Sequence, residues 1–64
     1  MKWTDSQALA EALAEHHPQV DPRRARFTEL RAWVLALPGF DDAPERCGER
    51  VLEALQQAWI DELG

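Results

Sequence analysis

The chain has 64 residues, enough for a single domain over residues 1–64 but too few for an enclosed active site, since a chain of this size buries only ~60% of the surface exposed when unfolded. Twelve acidic against seven basic residues set the net charge at −5, which opposes any affinity gained by neutralising phosphates and instead favours a basic protein surface or a cation. An apolar fraction of 45%, with three Trp and two Phe, excludes a disordered tail.

Prolines at 18, 22, 38 and 44 divide the chain into helix-sized pieces. Thr4 and Gln7 have capping-box spacing, and Leu9, Ala12, Leu13 and His16 share one side of a helix expected over residues 5–17 and stopped by Pro18. Asp21-Pro22 reads as a single turn, followed by an extended Arg26-Phe27-Thr28. Thr28 then caps a second helix over 29–37, in which Leu30, Trp33, Val34 and Leu37 follow the i, i+3, i+4, i+7 pattern before Pro38-Gly39.

The stretch Gly39-Phe40-Asp41-Asp42-Ala43-Pro44-Glu45 opens the last piece. Asp42 and Glu45 have capping-box spacing, Pro44 suits a first turn, and the predicted third helix runs over 43–63. Its apolar face is Cys47, Val51, Leu52, Leu55, Ala58, Trp59 and Leu63, with Gly48 allowing close approach of a neighbour. Lys2-Trp3-Thr4 and Arg26-Phe27-Thr28 are expected to pair as a minimal two-stranded ribbon. The predicted fold is therefore mainly α, three helices plus this ribbon, winged-helix-like. That shape suggests DNA, but no helix presents a basic face, and the charge argument prevails.

Cys47 is the only cysteine, so an internal disulfide and a cysteine-rich zinc site are excluded, and a buried structural thiol in a reducing compartment is expected. The N-terminus carries no signal-like apolar region and no stretch nears the ~20 apolar residues of a membrane span, so a cytoplasmic protein is expected. His16 and His17 diverge by about 100° on a helix and cannot both ligate one ion; His16 is expected to pack and His17 to cap. Nothing composes a nucleophile–base set, a phosphate loop or a catalytic carboxylate pair, so no enzyme is expected.

The partner-binding candidates are acidic. Glu45, Glu49 and Glu53, spaced by four, form a stripe opposite the core, and the same wheel puts Ile60 within it as an exposed apolar anchor. The plain alternative is a solvated face compensated by Arg46 and Arg50. Asp61 and Glu62 break a local rule, because acids at a helix C-terminus oppose the macrodipole. Asp41 has no capping duty and is assigned to partner or ion contact. For metal, Asp41, Asp42 and Glu45 offer hard oxygen ligands of an open, weak site suited to Fe(II) or similar divalent ions.

Lys2-Trp3-Thr4-Asp5, Asp21-Pro22, Arg26-Phe27-Thr28 with Leu30 and Trp33, Phe40-Asp41-Asp42 with Pro44, and Leu52-Glu53-Ala54 followed by Trp59 and Asp61-Glu62 together resemble the IscX family, small acidic accessory proteins of bacterial iron-sulphur cluster assembly. The resemblance covers essentially the whole chain. It implies a winged-helix-like fold, weak iron binding through surface carboxylates, and a monomer that docks its acidic face on the cysteine desulfurase IscS in competition with frataxin and ferredoxin. The family loop often reads FDDDP; here the third acid is Ala43, one oxygen ligand fewer. The resulting expectation is a non-catalytic regulatory adaptor with Fe(II) as a weak second ligand. The alternative is an iron sensor or donor whose primary event is metal binding.

Overall fold

A computed structural model describes all of residues 1–64 as three α-helices and one isolated 3-10 turn. Helix α1 spans Ser6–His16, α2 spans Phe27–Leu35, α3 spans Glu49–Leu63, and the 3-10 turn is Pro44–Arg46. There is no strand, so the expected two-stranded ribbon and winged-helix-like reading are overturned: the architecture is helical only.

Both segments expected to extend are otherwise engaged. Arg26-Phe27-Thr28 begins α2, because Glu29 Oε1 accepts the Arg26 backbone N–H at 3.3 Å and places Thr28 inside the first turn rather than at the cap. Phe27, Leu30 and Val34 already stand in helical register, which outweighs the modest strand preference of Phe and Thr. Lys2-Trp3-Thr4 is a turn closed by the Asp5 N–H on Lys2 O at 3.0 Å. It lies beside residues 39–43 rather than 26–28, with the Asp41 N–H donating to Met1 O at 3.0 Å.

The helix boundaries follow local chemistry. Ahead of Pro18, the His17 backbone N–H closes α1 on Leu13 O at 2.8 Å. The Thr4–Gln7 capping box does not form; Gln7 donates instead to Glu62 Oε2 at 2.9 Å, joining the start of α1 to the end of α3. Leu37 and Phe40 close a turn at 3.2 Å around Pro38 and Gly39, and the glycine's φ of +83° is the left-handed value that the third residue of a type II turn requires. Helix α3 begins at Glu49, not at residue 43. The 3-10 turn stops at Cys47, whose backbone is extended, and Gly48 is the residue preceding the helix.

The core is Trp3, Leu9, Ala10, Leu13, Leu30, Val34, Leu37, Leu52, Leu55 and Trp59, with α1 packed chiefly on α3 and α2 closing the third side. Trp3 meets Phe40 edge-on at 4.8 Å between ring centroids, and Trp33 meets Trp59 at 6.1 Å. The last turn of α3 is not covered: Leu63, expected in the core, is 55% exposed. His16 is exposed, whereas His17 stacks on Trp33 at 4.9 Å.

Leu13 is fully buried, so Leu13→Ala is expected to destabilise the fold by about 2–5 kcal/mol in urea unfolding. Trp59 is also fully buried, yet its indole N–H has no partner. Trp59→Phe removes that orphan donor along with one ring, and is expected to cost less than Leu13→Ala.

Candidate functional site

The acids divide into committed and uncommitted groups. In the loop from Gly39 to Ala43, Asp41 Oδ1 accepts from the Met1 ammonium at 3.1 Å and Asp41 Oδ2 lies 3.3 Å from Lys2 Nζ. The same two cations reach the backbone: Met1 donates to Gly39 O and Lys2 Nζ to Asp41 O, both at 2.7 Å. Asp42 Oδ2 accepts the Trp3 backbone N–H at 3.1 Å and its Oδ1 accepts the Ala43 N–H at 2.8 Å. Trp3 completes the closure by donating its indole N–H to Ala43 O at 2.8 Å. The expected pairing of Asp42 with Glu45 in a capping box is thus replaced by a clasp on residues 1–3.

The clasp shows in the acidities. The Met1 ammonium, and after it Lys2, hold the Asp41 carboxyl below the usual carboxylate range. For Asp42 the donors are the backbone N–H groups of Trp3 and then Ala43, with the same result.

Along α3, Glu49 and Glu53 are exposed and make no hydrogen bond or ion pair, and their spacing of four puts them on one face. Glu45 is exposed and likewise unpaired, but it belongs to the 3-10 turn, so the extended Cys47-Gly48 step separates it from the helical stripe. Ile60 is half-buried and lines a hollow of about 200 Å³ with Asp21, Pro22, Arg23, Leu63 and Gly64. Asp61 accepts from Gln57 at 3.0 Å within α3, and Glu62 accepts from Gln7.

No three of the His, Cys, Asp and Glu side chains converge on one point, so an ion taking Asp41, Asp42 and Glu45 together would have to draw them in and displace Lys2 and Met1. Cys47 is half-buried; burial pushes its thiol up against the opposing pull of Arg31, leaving a neutral thiol at pH 7. Sequence reasoning missed the partners of the loop acids. The signal was present as an aromatic and a lysine at positions 2–3 and two consecutive acids after a Pro-Gly turn, but nothing local ties segments so far apart in the chain. It also missed the exposed arginines at 23, 24 and 26.

A family model described as iron-sulphur cluster assembly matches residues 1–64. An uncharacterized protein of Pseudomonas aeruginosa is 55% identical over 62 residues, covering 97% of this chain and 94% of its own length. No helix is long and apolar enough to cross a membrane.

Carboxylates held below their usual range contribute stability above the unfolded value of ~3.9, and that stability disappears as pH falls through the lowered folded values. The fold is therefore expected to lose stability below about pH 4. Asp42→Asn should lower the thermal midpoint at pH 7 and flatten its decline between pH 5 and pH 3, as read by circular dichroism; an unchanged pH profile would contradict the clasp.

Proposed function

The chain belongs to the IscX family, its role lies in iron-sulphur cluster assembly, and from that premise we propose that it is a non-catalytic adaptor which docks an acidic face on a basic surface of the cysteine desulfurase IscS. The observation that carries this reading is the sorting of the carboxylates. Glu49 and Glu53 stand exposed on one helical face without a cation of their own, with Glu45 one step away, whereas Asp41 and Asp42 are held by the clasp. Two like charges four residues apart disfavour the isolated helix by a few tenths of a kcal/mol. A basic surface reverses that sign, speeds encounter, and makes association weaken with salt.

The mechanism is steric and electrostatic. A monomer seated on the desulfurase through Glu45, Glu49 and Glu53, with Asp61 and Glu62 at the far end of the same helix, restricts access for frataxin and ferredoxin. Fe(II) is a secondary ligand of Asp41, Asp42 and Glu45. It binds weakly because it must compete with two ammonium groups and two backbone N–H groups already held there. The alternative of an iron sensor or donor makes that costly displacement the primary event, so the adaptor is the better reading.

Glu49→Lys with Glu53→Lys is expected to weaken desulfurase binding at least about tenfold at low salt and to flatten its salt dependence, measured by calorimetry over a salt series. Equal affinities for variant and parent would sink the acidic-face reading. In an anaerobic Fe(II) titration, Lys2→Ala is expected to bind the ion more tightly than the parent, because one competing ammonium is gone. A parent dissociation constant near ~1 µM would favour the sensor instead.

A further inference from the structure

The charge distribution has a second pole. In a molecule of net charge −5, Arg23, Arg24 and Arg26 stand exposed within four residues between α1 and α2. Arg23 and Arg26 make no ion pair, and Arg24, its side chain 90% exposed, reaches only Asp21 at 3.9 Å. Asp21 is occupied in shaping the turn: its Oδ1 accepts the Arg23 backbone N–H at 3.0 Å, and its carbonyl accepts the Arg24 N–H at 3.0 Å. The turn is also anchored from the side, because Gln56 on α3 donates to Pro22 O at 2.8 Å and to Ala25 O at 3.4 Å. The guanidinium groups therefore project from a fixed backbone, which lowers the ordering cost of binding.

Beside this turn lies the most exposed large apolar side chain in the protein. Leu63 and the half-buried Ile60 line the hollow of about 200 Å³ whose other walls include Pro22 and Arg23. The hollow's remaining walls are Asp21, whose carboxylate is engaged by the turn and by Arg24, and Gly64. Arg23 is thus the one unpaired cation on the rim, with Arg24 next to it in the chain. An apolar floor beside these guanidinium groups is complementary to a chain segment that carries an apolar side chain next to a carboxylate. The guanidinium fork matches a carboxylate in a two-point hydrogen-bonded pair. Phosphate chains fit less well, since they offer no apolar side chain for the hollow formed by Ile60 and Leu63.

We propose that the Pro22–Arg26 turn and the Ile60–Leu63 end of α3 form a second docking surface, which takes an acidic segment of a partner protein, its apolar side chain in the hollow and its carboxylates on Arg23 and Arg24. The surface adjoins the desulfurase face at the Asp61–Glu62 turn of α3, but its contacts, Arg23, Arg24 and the hollow formed by Ile60 and Leu63, use neither Glu49 nor Glu53.

The test is an amide-spectrum titration of the isotope-labelled full chain with a capped peptide of glutamates around a central leucine, against a control with glutamine in place of every glutamate. Shifts confined to residues 21–26 and 60–64 with the acidic peptide, and absent with the control, are expected. Arg23→Glu with Arg24→Glu should weaken binding roughly tenfold, as loss of charge-assisted pairs implies. Leu63→Ser, an exposed position that leaves the core intact, should weaken it separately. Glu49→Lys with Glu53→Lys should retain the peptide shifts, so that failure at either surface is told apart from failure at the other. Equal shifts with the glutamine control, or equally tight binding of a short oligothymidylate, overturn the proposal by removing its specificity. Concentration-dependent shifts at these residues without peptide overturn it in favour of a second copy of this chain.

Discussion

Asp42 accepts the backbone N–H groups of Trp3 and Ala43, while the Trp3 indole N–H returns to Ala43 O. These bonds hold together segments 39 and 40 residues apart in sequence, and their consequences run through the whole fold. They seat a fully enclosed Trp3 against Phe40 and against the end of the core. Burying a side chain of that size removes ~150–250 Å² from water, a contribution of several kcal/mol that a chain this short has few other ways to obtain. They also take the carboxylate expected to cap a helix at residue 43; only the short Pro44–Arg46 turn forms there, and α3 begins after the extended Cys47-Gly48 step.

That shift decides how the charges are displayed. With Asp41 and Asp42 drawn to residues 1–3, Asp41 pairs with the Met1 and Lys2 ammonium groups and Asp42 with backbone N–H groups, so neither is a free ligand. Glu45 is set off from the helix, and Glu49 and Glu53 remain as the unpaired acids on a continuous α-helical face. Such a face contributes nothing to the stability of the isolated chain and slightly opposes it. On the proposed reading, its merit lies in encounter with a cationic surface, where the field of a small molecule with net charge −5 is not diluted by bulk.

Helical periodicity was the legible part of the fold. The spacing of Leu9 and Leu13, of Leu30 and Val34, and of Leu52, Leu55 and Trp59 places all seven in the core, because burial on one face imposes that spacing whatever the caps do. The capping readings at Thr4–Gln7 and Asp42–Glu45 did not survive, since Gln7 and Asp42 found distant partners that a local pattern cannot register. Arg26-Phe27-Thr28 looked extended by side-chain type, but Glu29 was positioned to start a helix there. Of the candidate site, the Glu49–Glu53 face followed from spacing alone. The turn at Asp21-Pro22 was also legible, but the occupation of Asp41 and the anchoring of that turn by Gln56 were not, because each depends on which segments fold against one another.

Both surfaces run along α3, and their separation has a physical meaning. At ~1.5 Å per residue, Ile60 lies about 10 Å along the helix axis from Glu53, and the two share an angular position on the wheel. Ile60 also lines the hollow beside Arg23, so the acidic face and the arginine corner are consecutive stations on one edge rather than opposite sides of the molecule. About 10 Å is the screening length near 0.1 M salt. Below that ionic strength the carboxylates attract the guanidinium groups and each pole mutes the other. Near physiological salt the two fields separate, which is the condition under which the two proposed surfaces would take a basic surface and an acidic segment independently.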